Sequence, residues 1–163
     1  MKIEEKANAV QTLEEIFNKH KEERICVLGT ICISKTTLIK KLKNCVDIDD
    51  VLPPLLNEQE KDFLKRAHIL ESSWTEEIGD EMERLTKEKV KIKPGFPLFG
   101  TIILDCDVIV YLDIDNKILS EHCKKRNMDL NNALNIKKSI EDDLKSFKKN
   151  NNKITYYYVT INE

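Results

Sequence analysis

Residues 108–114, VIVYLDI, restrict the fold more than any other stretch of the chain. Apolar side chains stand at both odd and even positions, so a strand here presents an apolar surface on two faces. Such a strand needs a covering layer on each side, which points to an α/β fold with a sheet between helices. The run ICVL at 25–28 is continuous in the same way, and ITYYYVTI at 154–161 combines β-branched and aromatic residues as a last strand does. CVDIDDVLPPLL at 45–56 reads as a second short strand halted by Pro53 and Pro54, and VKIK at 90–93 as a weak strand before the turn-forming PGFP.

Helical spacing fills the intervals. Ile3, Ala7, Val10, Leu13, Phe17 and His20 form one apolar stripe, giving an extra N-terminal helix within residues 1–22. Asn57 suits the cap of a helix reaching about Leu70, and Ser73 with Glu76 has capping-box spacing for another reaching about Lys87, so 57–88 is a helical region. Helical spacing resumes at Ile118, breaks at the polar residues 127–129 and continues from Leu130 to about Lys148. Strands alternating with helices imply right-handed crossovers and a parallel sheet. A length of 163 residues fits one such domain, residues 1–163.

With 40% apolar and 34% charged residues, the chain has the composition of a globular protein. The 27 basic and 29 acidic residues leave a net charge of -2, with no basic field to attract nucleic acid or an anionic membrane. No apolar stretch approaches a membrane span, and MKIEEKANAV lacks the apolar core of a signal peptide, so a cytoplasmic location is the expectation. Cys26, Cys32, Cys45, Cys106 and Cys123 form no CxxC pair, and neither they nor His20, His68 and His122 have zinc-site spacing. Cys26, Cys45 and Cys106 adjoin apolar runs and read as buried free thiols.

Residues 29–37, Gly29, Thr30, Ile31, Cys32, Ile33, Ser34, Lys35, Thr36 and Thr37, lie between the ICVL strand and a helical pattern, where a phosphate-binding loop would sit. Against G-x-x-x-x-G-K-[ST], the match holds at Gly29, Lys35 and Thr36, with Ser34 at the second glycine position. The chemistry of such a loop follows from its parts. Amides at a helix start face phosphates, the lysine spreads charge over them, and the hydroxyl holds Mg²⁺. Period-two alternation in an extended strand places Asp47 and Asp49 on one side and Asp50 on the other. Asn116-Lys117-Ile118-Leu119 lacks the aspartate of the N-K-x-D guanine motif, which argues against a GTPase. The tyrosines at 156–158 read as sheet packing, Trp74 as a packing residue, and Asp105 and Asp107 as residues that introduce the next strand.

With this loop, the VDIDDVLP segment, PGFPLFGTIILDCDVIVYLDI and HCKKRN, the chain resembles the nucleoside, nucleotide and shikimate kinase-like group of P-loop proteins over most of residues 24–161. The resemblance implies a three-layer fold with a five-stranded parallel sheet in the order 2-3-1-4-5. It also implies transfer of the γ-phosphoryl group of ATP to a small-molecule acceptor: a nucleoside, nucleotide, sugar or hydroxy acid. By the same resemblance residues 29–37 bind ATP, Thr36 and Asp47 serve Mg²⁺, Lys35 and Asp49 are catalytic, and residues 57–88 form the acceptor region. Residues 118–149 become lid-like helices in which Arg126 stabilises the transferred charge, its planar fork bridging two phosphate oxygens. Lys65, Arg66, His68 and Arg84 are the candidate contacts for an anionic acceptor. The extra N-terminal helix leaves room for a homodimer. The other reading is a nucleotide-binding or protein-interaction module that has lost catalysis, favoured by Ser34 and by the lack of a carboxylate at the Walker B position.

Overall fold

The two continuous apolar runs lie side by side at the centre of one sheet. The computed structural model describes residues 9–33, 35–69 and 76–161. Its strands are β1 (Ile25–Leu28), β2 (Val46–Asp47), β3 (Leu98–Gly100), β4 (Val108–Ile114) and β5 (Thr155–Ile161), all parallel, in the spatial order β2-β3-β1-β4-β5. Among the described residues seven helices surround them: α1 (Ala9–Lys19), α2 (Lys35–Lys41), α3 (Ile48–Val51), α4 (Glu58–Ile69), α5 (Glu76–Lys89), α6 (Asn116–Lys125) and α7 (Leu130–Asn150). Ile3, Ala7, Ser34, Leu70, Ser73 and Trp74 lie outside the described residues, as do the side chains of Arg66, His68 and Glu76.

Period-two alternation divides β4 between two cores. Val108, Val110, Leu112 and Ile114 pack with Leu13 and Ile16 of α1, Leu38 of α2 and Leu119 of α6. Ile109 and Tyr111 face the other way, toward Leu52, Leu56, Val90, Ile92 and the Ile140 and Leu144 stripe of α7. Each such side chain contributes about 1.5–3 kcal/mol on burial, so both layers hold the sheet. Tyr111 is tolerated inside because its hydroxyl donates to Glu141 Oε2 at 2.8 Å.

Three expectations are corrected. Val90 and Ile92 are buried, but 90–93 is not a strand: Lys93 forms only an isolated antiparallel bridge to Phe96, and β3 begins beyond the PGFP turn. Gly95, at φ +84°, supplies the left-handed residue that turn needs. The strand expected across CVDIDDVL lasts only two residues, because Asp47 Oδ1 accepts from the Asp49 amide at 2.9 Å and starts α3 instead. Strands and helices do not alternate throughout, since β3 connects to β4 through residues 101–107 without a helix. Such parallel connections usually need a dozen residues or more. Here Ile102, Ile103, Leu104 and Cys106 lie over the sheet in place of a helix.

Other local signals act as their chemistry dictates. Asn57 Oδ1 accepts from the Glu60 amide while Glu60 Oε1 accepts from the Asn57 amide, both at 2.9 Å, a reciprocal capping box for α4. Asp107 and Asp105 clamp Arg24 at the start of β1 with bonds of 2.8–3.2 Å, including one from the Arg24 amide, and the guanidinium holds the Asp107 carboxyl below the usual carboxylate range. His20 ties α1 to β5, with one ring nitrogen 2.7 Å from Glu23 Oε1 and the other 2.7 Å from the Tyr157 hydroxyl. Tyr156 and Tyr157 are half-buried, whereas Tyr158 is exposed beneath the ammonium of Lys148. Among the described residues all five cysteines are free thiols, and no helix is long and apolar enough to cross a membrane.

Candidate functional site

The carboxyl ends of parallel strands are where α/β sheets bind ligands, at the point where strand order reverses. Here that point is β1, flanked by β3 and β4. Gly29 follows it, and its amide donates to the Gly100 carbonyl at 3.1 Å. A Cβ at Gly29 would stand 3.1 Å from Ile33 Cδ1 and 3.3 Å from Leu112 Cβ, so the close approach of chain to core excludes a larger residue without a shift.

The loop that follows turns its apolar side chains inward. Thr30, Cys32 and Ile33 are buried, and Thr30 Oγ1 donates to the Ala133 carbonyl at 2.5 Å. Cys32 adopts φ +64°, a left-handed conformation that costs a residue bearing a Cβ. Lys35 and Thr36 then open α2, with Thr36 and Thr37 exposed and Leu38 buried as the anchor.

Lys35 is the electrostatic centre. It is half-buried, and its Nζ donates to the Gly29 carbonyl at 2.8 Å, folding the side chain back over the start of the loop. Burial pulls its ammonium down to about 8, while the carboxylates of Asp49 and Asp47 act against that fall. The shared placement of Asp47 and Asp49 arises differently from the strand alternation expected. Asp47, half-buried, caps α3 and Asp49, exposed, belongs to that helix, yet both exert their charge on Lys35. Asp50 is exposed and has no such role.

The helical pair α6 and α7 holds the loop from the other side. His122 Nδ1 lies 2.9 Å from the Cys32 carbonyl, which can only accept, so that nitrogen carries the proton. Cys32 Sγ is 3.4 Å from Met128 Sδ. Burial, with the neighbouring Cys32 thiol, pushes Cys123 up to about 11, which keeps it in the unreactive thiol form. The break between the helices is an ordered C-cap. Met128 and Asn127 donate to the carbonyls of Cys123 and Lys124 at 2.8 and 3.2 Å, Asn127 takes φ +55°, and Asp129 caps α7. Arg126 is the C-cap residue of α6, exposed, between the two residues that touch Cys32.

The cations expected for an acceptor are arranged otherwise. Arg84 is engaged by Glu81 and Glu88 along α5, and Lys65 is exposed on α4. What sequence reasoning missed is the clamp on the loop by His122, Met128 and Ala133. Their partners lie 90 to 103 residues away in sequence, and no local pattern announces such contacts. Among the described residues no group of three or more His, Cys, Asp or Glu could hold a metal ion. Mg²⁺ is usually held by one or two protein oxygens together with the oxygens of a phosphate. Hard oxygen donors, the Thr36 hydroxyl and the Asp47 carboxylate, suit that role. No protein-family model matches the chain, and no curated protein matches it.

Proposed function

We propose that this chain is an ATP-dependent phosphotransferase of the P-loop kinase class, acting on a small-molecule acceptor. One observation carries the reading: Lys35, spaced from Gly29 as in phosphate-binding loops, folds onto the Gly29 carbonyl under the charge of Asp49 and Asp47 at the carboxyl end of the sheet. In this reading residues 29–37 cradle the triphosphate, and Lys35 exchanges its carbonyl contact for phosphate oxygens. Bound Mg²⁺ would neutralise charge on the phosphates. Thr36 and Asp47 are the residues that would hold it. Asp49 orients the acceptor hydroxyl and takes its proton, and Arg126 reaches the transferred group from the α6 end. Exposed as it is, Arg126 also serves as an ordinary cation at a helix C-terminus.

The test begins with binding. At a ligand concentration one hundred times its Kd, Mg-ATP stabilises a folded protein by about 2.7 kcal/mol. For a domain of this size that is roughly 5–10 °C in melting temperature. The wild type is expected to show the shift and Lys35→Ala to lose it; no shift in the wild type at millimolar Mg-ATP overturns the proposal. The alternative, a module that binds without turnover, is favoured by the grip of His122 and Met128 on Cys32, and predicts the shift without ADP formation with any acceptor.

A pH signature accompanies binding. In the free protein Lys35 loses its proton near pH 8, below its ordinary range. Phosphate favours the charged ammonium, so binding raises that pKa and takes up protons above pH 8. Affinity for Mg-ATP should therefore fall as pH rises from 8 toward 10. Heats measured at pH 9 in buffers of different ionisation enthalpy should report up to one proton taken up on binding to the wild type.

A further inference from the structure

The loop that would cradle phosphate carries an uncommon backbone conformation at Cys32, whose φ is +64°. A side chain with a Cβ disfavours this left-handed region by roughly tenfold, and residues remain there where their surroundings over-determine them. A left-handed residue within a turn also brings successive amides to one side of the chain, which is how backbone builds a concavity for an anion.

The surroundings that hold Cys32 include α6, α7 and the turn between them. His122 Nδ1 donates to the Cys32 carbonyl at 2.9 Å, Met128 Sδ lies 3.4 Å from Cys32 Sγ, and Thr30 Oγ1 donates to the Ala133 carbonyl at 2.5 Å. The His122 bond differs from the other two because it acts on the backbone of Cys32 itself. The peptide link from Cys32 to Ile33 is trans, so its C=O and N–H point in opposite directions. Holding the Cys32 carbonyl therefore also sets the aim of the Ile33 amide, which belongs to the cradle. The imidazole stands on a firm support. It is half-buried in the last turn of α6, next to the buried Cys123 and one turn after the buried Leu119. A donor mounted on a packed helix is placed more precisely than one on a loop.

Resting on the reading that residues 29–37 bind the triphosphate, we infer that His122 is a positioning residue for phosphate binding. From α6 it holds the Cys32 peptide in the left-handed turn that presents the loop amides, and it acts through that peptide without touching the ligand. With the bond removed, Cys32 relaxes to the conformations its side chain prefers, and the apparent Kd rises by the reciprocal of the fraction still competent to bind.

The experiment titrates the full chain with Mg-ATP, and separately with Mg-tripolyphosphate, which has no base or sugar, by isothermal calorimetry. Wild type is compared with His122→Leu and His122→Asn. Leucine and asparagine share one shape, but asparagine can carry an N–H donor on Cγ where the imidazole carries Nδ1, so the pair isolates the donor from the packing. Melting curves confirm that each variant is folded at the titration temperature. His122→Leu is expected to raise Kd for both ligands by about tenfold, whereas His122→Asn stays within about threefold of wild type. Unchanged Kd in His122→Leu overturns the inference and leaves the binding reading intact. Tighter binding in His122→Leu also overturns it, because the contact would then be a brake on the loop. Equal losses in the two variants overturn it as well, since the ring would then act by packing. No binding of Mg-ATP by the wild type removes the binding reading itself, and the inference falls with it.

Discussion

Asp49→Asn is expected to lower turnover by about a hundredfold or more, the scale of a lost general base, while Mg-ATP still raises the melting temperature as in the wild type. Asp50→Asn should leave turnover within a factor of two or three. The two residues are adjacent, similarly exposed and chemically identical, so the contrast isolates geometry. Asp49 lines the cavity between α3 and α5 and acts on Lys35; Asp50 is absent from both settings. Asparagine keeps the shape and the hydrogen-bonding oxygen and removes only the charge and the basicity. Steady-state ADP formation at saturating Mg-ATP, with the acceptor varied, separates a loss in kcat from a loss in acceptor binding. Equal losses for the two variants would show that the charge of α3 as a whole matters and that neither carboxylate acts on the acceptor.

Phe99→Ala is expected to destabilise the fold by about 3–5 kcal/mol, the usual cost of emptying a large aromatic site in a core. Phe99 is fully buried in β3, in register with Val27 of β1 and Asp47 of β2, and meets Phe17 of α1 edge-on at 6.3 Å. One side chain thus links the sheet, the N-terminal helix and the short edge strand that carries Asp47. Against a total stability of roughly 5–15 kcal/mol, the loss should lower the melting temperature by about 6–20 °C. Urea unfolding followed by circular dichroism checks it. A change under 1 kcal/mol would mean that α1 and β2 collapse into the space.

The extent to which these arrangements are legible from the letters differs by element. β4 falls at residues 108–114, as the run of apolar residues requires, and Asn57 caps α4 through side chains within one turn. Both are decided by neighbours a few positions away. The strand expected at 90–93 had the right burial but the wrong conformation. Period and apolarity describe which side chains are buried, and Val90 and Ile92 are buried beside the sheet without pairing to it. Likewise two prolines and a run of aspartates after Val46 do not say where an edge strand gives way to a helix. One carboxylate, Asp47, decides that by accepting from the Asp49 amide before a ladder can continue.

The sequence by itself determined that two strands must be covered on both faces, that the chain builds helices around a parallel sheet, and that Gly29, Lys35 and Thr36 share one strand-to-helix turn. Those are consequences of side-chain alternation and local spacing, which the chain carries wherever it folds. Only the tertiary structure decided that Lys35 is pulled down by burial while Asp47 and Asp49 act against that fall, that His122 and Met128 grip Cys32, and that a connection without a helix leaves a small cavity lined by Asp49. Each of these depends on segments far apart in sequence reaching one place. Their energies come from desolvation and close contact, which exist only once the sheet and its two helical layers have brought the segments together.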